Sequence, residues 1–259
     1  MNLSSPSITH ARAHPIVSRD EWRAARTALL VEEKTLTQAR DRVAATRRAL
    51  PWVKVEKEYY FDAPSGRLTL AQLFDGRSQL FVKHFMLGPG QQTQCVGCSL
   101  EVDHIDGLLP HLENHDVTYV AIARAPTEEI EVVRKRMGWR FTWVSSYRSD
   151  FNYDFNVSFK PEDIATGRAY YNFRFTHEVM EDLSGDSVFF KDEDGQIFHT
   201  YSTFGRGVEV MMGTYNMLDL APKGRDERDV DYKMEWVRHH DRYEPAPTAK
   251  AAGSCCAHT

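Results

Sequence analysis

Between residues 80 and 144 the chain alternates strand patterns with helix patterns, and a Cys-x-x-Cys stands at the first junction. This order constrains the fold more than any other feature of the sequence. Residues 80–86 form a near-continuous apolar run, the pattern of a strand buried on both faces. Gly88, Pro89 and Gly90 break it. Cys95 and Cys98 follow, separated by Val96 and Gly97. From Cys98 onward Val102, Ile105, Leu109 and Leu112 recur at a four-three-four-three spacing, one face of a helix, which Pro110 should kink or shorten. Residues 117–123 read as a second buried strand. Pro126 opens a helix with Ile130, Val133 and Met137 on one side, and residues 140–144 read as a third strand. Strands alternating with helices imply an α/β chain with a parallel sheet and right-handed crossovers.

The flanks are less regular. Residues 1–13 read as an arm without order. Ser18 and Glu21 have the spacing of a capping box, so a helix starts there and runs to about residue 50, before Pro51. Trp22, Leu29, Leu36, Val43 and Leu50 recur every seven residues on it. This narrow stripe reads as a helix packed along the outside of the domain, and it also admits a homodimer through the N-terminal helix. Residues 52–61 are strand-like. Residues 147–186 break the α/β rhythm with nine aromatic residues, and Tyr171, Phe173 and Phe175 alternate as a one-faced strand would. Residues 187–191 and 196–201 form a hairpin pattern around Asp192-Glu193-Asp194-Gly195, and a helix from about residue 207 to 218 closes the domain. Beyond Pro222 the chain turns charged and then low in complexity, so little order is expected there. The organisation is an arm and helix over 1–50, a domain over 51–225 with an insertion at 147–186, and a tail over 226–259.

With 42% apolar residues among 259 the chain can build a sizeable core. A formal net charge of −5 argues against nucleic acid or an anionic membrane surface as partner, since both call for a basic face. No apolar run reaches the ~18 residues of a membrane span, and the first ten residues lack the pattern of a secretory signal. The expected location is a reducing cytoplasm, where a Cys-x-x-Cys is redox-active or metal-binding more often than a structural disulfide.

The chain has four cysteines, and two of them are Cys95 and Cys98. The thiolate is the nucleophile in disulfide exchange. A cysteine at a helix N-terminus meets unpaired backbone N–H groups and the positive end of the helix dipole, which favour the anion. Cys95 takes that position, and Cys98, one turn on, is placed to resolve a mixed disulfide on Cys95. The competing readings are a thiolate metal site and a pair of buried thiols without chemistry. Zinc would need Cys255 and Cys256, or His84 and His104, to complete its ligands; adjacent cysteines chelate a tetrahedral ion poorly, so neither a metal nor a cofactor is assigned. Cys255 and Cys256 read as a chain end, or as a second dithiol able to exchange with the first.

Three blocks together resemble a largely uncharacterised thioredoxin-like family of predicted dithiol–disulfide oxidoreductases, of the peroxiredoxin-like branch. They are residues 14–18 leading into the long helix, the block Cys95-Val96-Gly97-Cys98-Ser99, and residues 198–203 with 213–215 and 218–225. The resemblance implies a thioredoxin-like fold, with a central mixed sheet flanked by helices, a long N-terminal helix and an aromatic-rich insertion. It implies a thiol or disulfide substrate, with Cys95 attacking and Cys98 resolving. Thioredoxins carry a cis-proline before the strand facing the dithiol. Ser187 stands at the matching place by sequence, so Ser187 and Val188 are expected to form the substrate-side loop. Pro89 and Thr93 lie out of register with the peroxiredoxin pattern, which favours an oxidoreductase over a peroxidase. The insertion is long enough to lie over the dithiol, with Tyr147, Arg148 and Tyr153 as pocket or lid residues; its other reading is a layer that finishes the core. A domain that keeps the fold and only binds partners is the remaining alternative.

Overall fold

The computed structural model describes residues 14–177, 180–228 and 230–244. The expectations for the N-terminal arm 1–13 and for Cys255 and Cys256 lie outside the described residues. Helix α1 spans Arg19–Arg48. The Ser18 hydroxyl accepts from the Glu21 N–H, and the Glu21 carboxylate accepts from the Ser18 N–H at 2.9 Å, which completes the capping box. The helix ends where Pro51 would remove a donor. It buries none of its residues, so it does not pack along the domain as the stripe suggests.

Two short strands follow the helix and one returns, β1 (Val53–Lys54), β2 (Tyr60–Ala63) and β3 (Gly66–Thr69). Strand β4 (Gln79–His84) leads through the cysteine loop to helices α2 (Val96–Val102) and α3 (Ile105–Asn114). The break between them falls at Asp103 and His104, ahead of Pro110, which lies inside α3. Then come β5 (Val117–Ala123), α4 (Thr127–Met137) and β6 (Thr142–Ser145). The insertion holds α5 (Phe151–Asp154), α6 (Pro161–Ala165) and a separate pair of strands, β7 (Ala169–Tyr171) and β8 (Arg174–Thr176). The aromatic stretch is therefore a hairpin. Asn172 and Phe173 sit at its turn with φ of 50° and 63°, which ends the alternation at Tyr171 and restarts it at Arg174. Strands β9 (Gly185–Lys191) and β10 (Ile197–Phe204) form the expected hairpin, turned at Gly195 with φ of 79°. A 3-10 stretch, Gly205–Met211, and α7 (Gly213–Leu218) replace the single closing helix.

The large sheet has the order β1-β10-β9-β4-β5-β6-β2-β3. Strands β4, β5 and β6 are parallel, and β9 runs antiparallel to β4 and to β10. The run β10-β9-β4-β5, with α2 and α3 joining β4 to β5, is the thioredoxin-like arrangement: a mixed central sheet with helices on it.

Its two faces are covered differently. Phe81, Lys83 and Phe85 point to the face on which α2, α3 and α4 lie, with Cys98, Val102, Ile105, Ile130 and Met137 in one core cluster. Leu80 and Val82 point to the other, with Phe61, Phe74, Val120, Ile122, Phe151 and Phe189. None of the three core helices covers this second face. The insertion does, through Phe151 and Phe155, together with Leu73 and Phe74. At about 25 cal/mol per Å2 of apolar surface removed from water, leaving that face bare would be too costly for a domain this size.

Candidate active site

The loop after β4 delivers Cys95 to the N-cap of α2. Its φ and ψ of −58° and 125° are non-helical, and its Sγ accepts from the Cys98 N–H at 3.3 Å. The sulfur thus takes the place a Ser or Asp oxygen takes in an ordinary cap. The Ser99 hydroxyl and N–H both donate to the Cys95 carbonyl, at 2.9 and 3.1 Å, and tie the first turn shut. Both cysteines are free; Cys95 is half-buried and Cys98 is 2% exposed.

Their acidities separate. A hydrogen bond from the Cys98 thiol, the backbone N–H groups of Cys98 and Gly97, and the Lys83 charge pull Cys95 down to about 6 from the usual 9.0, against the effect of its burial. Burial first, then the Cys95 sulfur, push Cys98 well above the ordinary thiol range. The result is one thiolate at neutral pH with a protonated partner beside it.

Beneath Cys98 lies a charged cluster that sequence reasoning missed. Lys83 is 0% exposed, Glu101 3% and Asp186 1%. The Lys83 ammonium donates to the Glu101 carboxylate at 2.5 Å and to the Ser184 hydroxyl at 2.8 Å, and Asp186 lies 3.6 Å from it. Burial alone would neutralise Lys83, but Asp186 and Glu101 hold it charged. Asp186 is pushed well above the ordinary carboxyl range, first by burial and then by Glu101, while Lys83 opposes. Neither Asp186 oxygen has a hydrogen-bond partner within normal range, so its contact with Lys83 is the 3.6 Å ion pair alone. The one legible signal was a lysine in the middle of the apolar run at 80–86.

The segment after Pro222 is the second feature the sequence did not reveal. Residues 226–228 and 230–244 are placed against α2 rather than lacking order. Val237, Met234 and Trp236 pack with Leu100, Val208, Met212 and Tyr215. Glu227 is buried and accepts from the Tyr215 hydroxyl, the Trp236 indole N–H and the Met234 N–H at 2.8–3.2 Å. His239 Nε2 bonds the carbonyl of Gln94, the residue before Cys95, at 3.0 Å. Met234 lies over Gly97: a Cβ there would come within 3.0 Å of its methyl. A strap therefore crosses the helix start that carries the dithiol.

The other expected site residues go elsewhere. Ser187 and Val188 form no loop, because β9 already begins at Gly185. Its pairing runs His84 with Gly185, Lys83 with Asp186 and Val82 with Ser187, so Ser187 lies two rungs inside the sheet. Gly185 and Asp186 are poor strand formers, held by their neighbours in the register. Ser187 is fully buried, and its hydroxyl bonds His84 Nε2 and the Ser202 hydroxyl, each at 2.8 Å. Ser184, bound to Lys83, is the residue before the first rung. Arg148 pairs with Asp62 on the outer strand β2 at 3.2 Å, and Tyr147 is exposed. The Tyr153 hydroxyl accepts from Arg124, which is also bound to Asp182. Phe151 and Phe155 put that part of the insertion on the face opposite Cys98 as a covering layer, while Tyr171, further along it, donates to the Ser184 carbonyl at 2.6 Å beside Lys83. His84 lies on that opposite face, stacked on Phe155. Among the described residues no group of three or more His, Cys, Asp or Glu is arranged to hold a metal ion. No helix among them is long and apolar enough to cross a membrane.

This is a thioredoxin-like α/β protein with a Cys-x-x-Cys at the first turn of the helix that follows a central strand. It belongs to a family described as bacterial protein of unknown function (DUF899), which matches residues 11–243. No curated protein matches the chain. Similar solved structures include peroxidoxin BcpB from Mycobacterium tuberculosis, at 12% identity and a TM-score of 0.42, over 63% of this chain and 94% of that one. The mitochondrial 2-Cys peroxiredoxin from Plasmodium falciparum matches at 13% and 0.38, over 65% and 92%. Peroxiredoxin Q from Xanthomonas campestris matches at 15% and 0.39, over 68% and 99%. Likeness at this level does not carry an activity from those proteins to this one.

Proposed function

We propose that this protein is a dithiol–disulfide oxidoreductase acting through Cys95 and Cys98 in a reducing cytoplasm. The observation that carries the reading is the Cys95 sulfur itself, which caps α2 by accepting from the Cys98 N–H at 3.3 Å beside a buried Cys98 thiol; its pKa is lowered and that of Cys98 is raised. In the reducing direction the Cys95 thiolate attacks one sulfur of a substrate disulfide and expels the other as a thiolate. Cys98 then gives its proton to the thiolate that has left, and its sulfur attacks the Cys95 sulfur. The second substrate sulfur leaves as a thiolate, and two electrons have moved to the substrate, leaving a Cys95–Cys98 disulfide. The strap over Gly97 limits approach to Cys95 alone, which agrees with the 2% exposure of Cys98.

Among the described residues no three His, Cys, Asp or Glu are grouped to hold a metal ion, and Cys255 and Cys256 lie outside them. The non-catalytic reading explains neither the lowered Cys95 nor a charged lysine buried beneath the thiols. The test is trapping. Cys98→Ser is expected to accumulate a mixed disulfide on Cys95 with thiol partners, and Cys95→Ser to form none. Equal trapping by both variants, or by neither, contradicts the assignment.

A further inference from the structure

Helix α1 is the part of the molecule that the redox reading leaves unused. It runs for 30 residues, about 45 Å at 1.5 Å per residue, and buries none of them. A helix in water draws most of its stability from packing an apolar face, so one without a buried residue is an incomplete structure. The unpacked face is defined. Trp22, Leu29, Leu36 and Val43, with Leu50 just past the end, repeat at seven residues and stand 42–55% exposed. A seven-residue repeat keeps its side chains on one seam only if the helix winds against another helix.

We infer that the seam is covered by α1 of a second copy of this chain, running antiparallel. The charge pattern selects the direction. Residues 19–33 carry four acidic and three basic side chains, and residues 34–48 carry one acidic and five basic. A parallel pair sets the two basic halves side by side. An antiparallel pair sets each basic half against the other copy's more acidic half and also opposes the helix dipoles. The register follows from the repeat. With Leu36 on the two-fold axis, Leu29 meets Val43 of the second copy and Trp22 meets its Leu50. Glu32 and Glu33 then come beside Arg40 of the second copy, twice by symmetry. Ala25 and Ala39, on the same side one turn from the large residues, let the two helices approach closely.

The test uses the full chain. Light scattering at tens of micromolar is expected to give twice the chain mass for the wild type and a monomer for Leu29→Glu/Leu36→Glu. The helix contributes nothing to the domain core, so that variant is expected to keep the wild-type tryptophan fluorescence transition of the core. Register is read in a background with all four cysteines changed to Ser. Under mild oxidation Leu36→Cys is expected to cross-link to itself at least tenfold more than Leu29→Cys does. Leu29→Cys mixed with Val43→Cys is expected to cross-link across the pair. A monomeric wild type overturns the proposal, and self-linking of Leu29→Cys as strong as that of Leu36→Cys overturns the antiparallel arrangement.

Discussion

The two faces of the central sheet bury polar groups at adjacent positions and treat them in opposite ways. On the helix face Lys83 and Asp186 pair across β4 and β9, and with Glu101 they form a charged cluster under Cys98. On the other face, one residue along each strand, His84 and Ser187 join Ser202 and His199 in a chain of neutral hydrogen bonds at 2.7–2.8 Å. His84 is kept neutral, with its pKa down to about 3 by burial and by the Lys83 charge. Neutral polar chains of this kind hold strands in register at modest cost. A buried ion is far more expensive, and a hydrophobic set of the same size is often as stable. The charged arrangement lies on the helix face beneath Cys98, and the insertion face, which carries neither Cys95 nor Cys98, holds only the neutral chain.

Four changes test that contrast. Lys83→Met leaves Glu101 and Asp186 without their cation, and is expected to cost about 3–5 kcal/mol in urea unfolding. Ser187→Ala removes the link between His84 and Ser202 and is expected to cost less, about 1–3 kcal/mol. If the two losses are equal, the faces do not differ as described. The third is the pH dependence of thiol alkylation. Cys95 has its folded-state pKa depressed to about 6, so its reactivity stays level above that and falls about tenfold per unit as pH drops below it. Cys98, shifted the other way, stays slow up to and beyond pH 9. A single alkylation midpoint near 9 for both would erase the distinction between them. Gly97→Ala should have the smallest effect, about 1 kcal/mol or less, because the flexible end of Met234 can move from the added methyl. A larger loss would mean that the strap is held rigidly over the dithiol.

Much of the core could be read from residue patterns. Strands β4 and β5, helix α4 and the turn of the β9–β10 hairpin fall where apolar runs, spacing and turn residues put them, because each is specified by neighbours in sequence; the single helix expected after Cys98 is instead two, α2 and α3. The capping box of α1 is legible for the same reason. What escaped is set by distant contacts. Lys83, Glu101 and Asp186 meet only through the register of the sheet and the placing of α2 on it. Gly185 and Asp186 do not look like strand, which misplaced the start of β9 and with it Ser187. The segment after Pro222 has few apolar residues, and its order comes from Met234, Trp236, Val237 and His239 seated on α2, not from its own periodicity. The aromatic insertion was legible as a layer but not as to which face it covers. That follows from the helices leaving one face open.

The proposed chemistry requires Cys95 and Cys98 to form one reversible disulfide, and a thiol titration against a glutathione redox series measures this directly. The wild type is expected to lose two thiols together, with a single midpoint at an n of about two electrons, and peptide mapping should place the bond between Cys95 and Cys98. A protein whose two thiols stay free across the whole series, or oxidise independently of each other, would contradict it.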